Sequence, residues 1–188
     1  MIDKATLSLD VSTSTIGICL FDKDGNLAEM DYINFLKNKD QDLFEKADLF
    51  QAKVQHMLNC GITNIAIEEP LMKLKGKYSN AATIALLNCF NGIISDRCYR
   101  LFNVKPVYYN VNHARRSVFD DLPKKSEEKT IKHEVWNRVC KMEPQINWIY
   151  GPKSRKLIDE NYDMCDSYVI GVCHLLNINQ QENMLALK

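Results

Sequence analysis

The sequence lacks any uninterrupted apolar run of the eighteen or so residues that a bilayer span requires, and any Gly-, Pro- or Ser-rich tract. Membrane-spanning, collagen-like and disordered classes are thereby excluded. The seven cysteines, at 19, 60, 89, 98, 140, 165 and 173, contain no CxxC pair and are odd in number. Buried free thiols are expected, not zinc ligands or disulfides. The first residues, Met1-Ile2-Asp3-Lys4, have neither a basic n-region nor an apolar h-region, which predicts a cytoplasmic protein. Net charge is also missing, with 24 basic against 24 acidic residues. The balance conceals a segregation, since residues 97–156 hold 14 basic and 6 acidic residues and the remainder 10 and 18. Such a pattern suits one face for an anion and carboxylates elsewhere, although a solvated charged face would look the same.

The chain is long enough, at 188 residues with 46% apolar, to bury a substantial core as one domain over 1–188. Residues 6–11 alternate polar and apolar, 16–21 resume in the same style, and 27–35 form a third extended stretch after Asp24-Gly25. This predicts an antiparallel three-strand meander turned by the Asp-Gly pair. Helical spacing follows over 42–58, with Gly61 at its stop, and then the short apolar strand Ile62–Ile67 runs into Glu68-Glu69-Pro70. A long helix over 80–102, a strand over 104–111, a basic helical region over 113–141 broken at Leu122-Pro123, and a buried helix over 163–176 complete the order. The expected architecture is α/β: a mixed central sheet that begins with the meander and is flanked by helices, as in the ribonuclease H-like fold.

Four acids stand out. Asp10 lies within an apolar strand, where an unpaired carboxylate costs several kcal/mol. It either accepts hydrogen bonds from the Ser12–Thr15 loop or ligates a metal. Glu68 and Glu69 end a strand at the position where open α/β sheets place ligand groups, and period-2 alternation lets only one face the site without choosing which. Asp163 and Asp166, three apart at the opening of a helix, share a face and serve either as cap and first-turn acids or as ligands. Together the acids suggest hard oxygen ligands for magnesium or manganese, and phosphodiester hydrolysis with two ions.

Three segments resemble the RuvC family of Holliday junction resolvases. The stretch Leu7-Ser8-Leu9-Asp10-Val11-Ser12-Thr13-Ser14-Thr15-Ile16-Gly17 is similar to its first motif, with Ser12 where the family commonly has glycine. Ile65-Ala66-Ile67-Glu68-Glu69-Pro70-Leu71-Met72 resembles the second, which aligns Glu68 with the metal-binding glutamate. Tyr162 to His174 is similar to the closing Asp-x-x-Asp motif. The resemblance implies two Mg2+ ions, replaceable by Mn2+, on Asp10, Glu68, Asp163 and Asp166, and a homodimer that nicks opposing strands of a four-way DNA junction symmetrically. It places the dimer interface on Gly92 and the helix over 80–102. It implies a junction wedge at Leu71, where the family often has phenylalanine, and phosphate contacts from Lys73, Arg115, Arg116, Lys124, Lys125, Lys129 and Lys132. Lys129 best matches a family lysine, and Lys75 and Lys77 are further candidates. The family's glycine-rich basic loop is replaced by Phe119 to Ser126.

Two other readings share these residues. One is a flap or RNA/DNA-hybrid nuclease of the same fold. The other is an ATP-binding module of the actin and sugar-kinase type, which needs a second domain. His174 is expected in the core or beside the site, not as a ligand; Tyr108, Tyr109 and Trp136 are expected in the core.

Overall fold

The computed structural model describes residues 4–36, 40–70, 81–123, 128–152 and 156–186. Strands β1 (Ala5–Val11), β2 (Thr15–Phe21) and β3 (Leu27–Asn34) are followed by α1 (Leu43–Val54) with a 3₁₀ turn over Gln55–Asn59. Then come β4 (Ile62–Glu68), α2 (Ala81–Phe102), β5 (Val107–Tyr109), α3 (Val111–Val118), α4 (Glu128–Met142) and α5 (Glu160–Ala186). The sheet order is β3-β2-β1-β4-β5, with the first three strands antiparallel and β4 and β5 parallel to β1 and to each other. The expected mixed sheet with its N-terminal meander is present. Gly25 takes φ +82° at the β2–β3 turn, where Asp22 accepts from the Asn26 and Asp24 amides.

Alternation along the strands divides the core in two. Leu7, Leu9, Val11, Ile16, Ile18, Ile65 and Ile67 face α1 and α2. Cys19, Phe21 and Ala66 face α3, α4 and α5. Every residue of β1 is buried, including Thr6, Ser8 and Asp10. The small polar side of the strand is therefore covered, not solvated, because α5 packs very closely on it. Ser8 donates its hydroxyl to the Ser167 carbonyl at 2.8 Å, Cys19 Sγ lies 3.1 Å from Ser167 Oγ, and Gly171 meets the Phe21 ring where a Cβ would clash.

Some boundaries differ from expectation. The strand expected over 104–111 shrinks to Val107–Tyr109, since Pro106 has no amide to donate and the Asn110 side chain already caps α3 by accepting from the His113 amide. Tyr108, expected in the core, is 45% exposed at this edge strand, with its hydroxyl donating to Ser95. The final helix starts at Glu160 and continues to Ala186, ten residues beyond the predicted end. All seven cysteines are free; Cys19, Cys98, Cys165 and Cys173 are buried, but Cys89 is exposed. Among the described residues no helix is long and apolar enough to cross a membrane.

Candidate active site

The parallel pairing of β1 and β4 sets Leu9 beside Ile67, so Asp10 and Glu68 emerge next to one another near the carboxyl ends of adjacent strands. Both follow the alternation that points Ser8 and Ala66 toward α5, which settles the choice between Glu68 and Glu69. Glu69 turns to the surface and accepts from Asn110. Asp163 and Asp166 lie in the first two turns of α5, and the helix begins three residues earlier than Asp163, so Asp163 is not its cap. The sheet and the helix thus bring four acids together from three distant parts of the chain.

Their electrostatics show the crowding. Burial, then the Glu68 charge, holds the Asp10 carboxyl well above the usual carboxylate range. Glu68 is hydrogen-bonded to Asp10, and its own carboxyl is also pushed up, first by burial. Asp163 rises to about 7, through burial and then the neighbouring Asp10 charge.

Two cations enter this cluster. Arg115, expected as a phosphate contact, is instead buried at 1% exposure, and its guanidinium donates from Nε to Asp166 Oδ1 at 2.8 Å and from Nη2 to Oδ2 at 2.7 Å. The planar fork matches the carboxylate, as only arginine can. Lys132 turns its ammonium inward, 3.3 Å from Asp166 Oδ2 and 3.6 Å from Asp163 Oδ1. Burial works against its charge, but Asp166, Asp10 and Asp163 outweigh it and hold the lysine above its ordinary value. Sequence reasoning missed the inward role of both cations. The signal was present for Arg115, because Val111, Ala114, Arg115 and Val118 fall at the i, i+3, i+4, i+7 spacing of one inward stripe.

Among the described residues no group of three or more His, Cys, Asp or Glu side chains is gathered tightly enough to hold a metal ion. The donor set nevertheless fits a hard divalent cation. Two buried carboxyls meet in a hydrogen-bonded pair at the strand ends, and Asp163 lies beside them, hydrogen-bonded to Lys132.

Of the other expected DNA contacts, Leu71, Lys73, Lys124 and Lys125, like Lys75 and Lys77, lie outside the described residues, as does the side chain of Lys129 on α4. Arg116 is exposed on α3. Much of the basic segment is neutralised internally: Arg97 pairs with Asp48, Arg100 with Asp96, and Arg138 with Asp121 and Glu134. His174 is buried, its Nδ1 2.8 Å from the Tyr109 hydroxyl, and burial lowers its pKa, which keeps it neutral in the core. Asn161 is fully buried and pins the preceding loop, donating to the Ile149 and Ile158 carbonyls and accepting from the Ile149 amide.

A mixed five-stranded sheet with acids at the ends of its first and fourth strands and on its last helix has the ribonuclease H-like architecture. Solved structures make the likeness specific. The chain superposes on T. thermophilus RuvC in complex with a Holliday junction substrate with TM-score 0.59 and 12% identity, covering 94% of this chain and 96% of that one. It superposes on the yeast mitochondrial Holliday junction resolvase Ydc2 with TM-score 0.54 and 14% identity, covering 89% and 76%. The fold is that of RuvC-type resolvases. No protein-family profile matches the sequence, and no curated protein does.

Proposed function

We propose that this chain is a metal-dependent endodeoxyribonuclease that resolves four-way DNA junctions by paired, symmetric nicks. The observation that carries the reading is the meeting of Asp10, Glu68, Asp163 and Asp166 at one end of the sheet, in a fold shared with a RuvC solved on a Holliday junction. Magnesium ions held by these acids would supply an activated water and stabilise the departing 3′ oxygen, and manganese would serve as well. The chain's own residues prepare that chemistry. Asp10 and Glu68 would hold an ion at the strand ends, α5 sets Asp163 against them, and Arg115 fixes Asp166. Arg116, with Lys73, Lys124, Lys125 and Lys129, supplies phosphate contacts, and Leu71 the wedge.

Two active sites on one junction require two chains. The outward face of α2 suits a homodimer: a cavity of about 550 Å³ lies against Phe44, Cys89, Gly92 and Ile93 with Asp96, Arg97 and Arg100 at its side, and no described residue lies within 4 Å of where a Gly92 Cβ would be.

The test is a magnesium-dependent cleavage assay on a four-way junction, a flap, a duplex and an RNA/DNA hybrid. Paired symmetric nicks confined to the junction are expected. The Asp10→Asn variant should cut at least about 100-fold more slowly while binding the junction within about twofold, because phosphate contacts lie elsewhere. Equal cutting of flaps or hybrids would replace this reading with a broader nuclease of the same fold.

A further inference from the structure

Lys132 is an unusual neighbour for a set of metal-binding acids. It projects from α4 in the same turn as the buried Ile131, and its ammonium lies between the nearest oxygens of Asp163 and Asp166. A lysine whose only task was a phosphate contact would extend into solvent, where its charge is best hydrated. Here the side chain is 29% exposed and directed at two carboxylates that are themselves 23% and 3% exposed. Asp166 has its other contacts filled by Arg115, which occupies both oxygens.

From this arrangement, and resting on the metal-dependent reading above, we infer that Lys132 is a resident counter-ion at the Asp163–Asp166 side of the cluster. It occupies the space a second divalent cation would need, so that the DNA-free protein admits one ion, on the Asp10–Glu68 side, and a second only when the ammonium withdraws. Two observations combine here. No three of the described acids are gathered for a metal, and a monovalent charge stands between two of them. A compact, flexible ammonium on four methylenes is the type of cation that can leave such a place, whereas the forked guanidinium of Arg115 is not. Lys132 is thus a positioning residue that regulates ion entry.

The experiment is calorimetric titration of DNA-free protein with Mn2+, alongside junction cleavage by the wild type. The wild type should bind one ion per chain. Lys132→Met should bind a second, and bind Mn2+ about tenfold or more tightly overall, while Lys132→Arg stays near wild type in stoichiometry. Without metal, Lys132→Met should melt below the wild type, and Mn2+ should raise its melting temperature by the larger amount. A readout on the unmodified protein guards against a variant that fails to fold: in the DNA-free wild type, titration with diamagnetic Mg2+ should leave the protected 15Nζ signal of Lys132 in place while the single ion binds. Equal Mn2+ binding by wild type and Lys132→Met, weaker binding by the variant, or loss of the protected Nζ signal with Mg2+ alone overturns this inference while junction cleavage by the wild type leaves the nuclease reading standing. Absence of Mn2+ binding to every form overturns both.

Discussion

The carbonyl oxygen of Asp163 rests where a Cβ on Gly17 would be, and Gly17 is the cross-strand partner of Asp10. One missing methyl therefore lets the backbone of α5 press against β2 and bring its acids to those on β1 and β4. In an ordinary strand, alanine is preferred to glycine by roughly 0.5–1 kcal/mol. At residue 17 the sign should reverse. The obstructing atoms belong to backbone, so Gly17→Ala should destabilise the fold by about 1–3 kcal/mol, measured by urea denaturation, and weaken Mn2+ binding as α5 shifts outward.

Arg115→Met leaves the Asp166 charge in a buried site with only Lys132 nearby. The expected loss is about 3 kcal/mol, the low end for a broken buried pair, because that ammonium remains 3.3 Å away. Arg115→Lys keeps the charge but not the fork, and should lose about 1–2 kcal/mol. Combining Arg115→Met with Asp166→Asn should recover part of the loss, and a double-mutant cycle on unfolding free energies measures how much.

The metal-free protein should become less stable on going from acid to neutral pH through the Asp163 window. Its folded carboxyl titrates near 7 against an ordinary value of 3.8, so the folded state keeps a proton that the unfolded state has released. Stability from this group is full below 3.8 and is lost as pH rises through about 7. The amplitude is a few kcal/mol. Urea midpoints at about pH 5 and pH 7.5 should show the fall, Asp163→Asn should flatten it, and on the proposed metal-dependent reading Mg2+ should stabilise more at the higher pH.

Arg116 provides a test of the proposed DNA face that does not touch the acid cluster. Arg116→Ala should weaken junction binding to a similar degree for different sequences, and reduce the slope of log K against log salt by about 1. Melting temperature should stay within the error of the wild type, since the side chain is exposed.

The meander, the strand-end acids and the order of helices were legible because they rest on short-range patterns: period-2 alternation, an Asp-Gly turn and helical spacing. The alternation of β1 was legible too, but not that α5 covers its polar side, which rests on contacts such as Ser8 to the Ser167 carbonyl, 159 residues away. Arg115 was harder still. A cationic helix reads as a surface, and the partner that draws Arg115 inward is Asp166, 51 residues away. The inward turn of Lys132 depends likewise on how α4 docks against α5, a tertiary relation with no local signature. The Glu68 assignment needed either the sheet register or a motif; spacing left it open.

The dependence of the site on α5 also has a temporal side. β1 and β2, with Asp10 and the small polar surface around Ser8 and Cys19, leave the ribosome some 140 residues before Asp163 does. At about 5–20 residues per second, that interval is roughly seven to thirty seconds. Throughout it the nascent chain carries one or two of the acids, an uncovered sheet face and no cluster. The four acids therefore meet only once the final helix is made, so an unfinished chain has no assembled cluster.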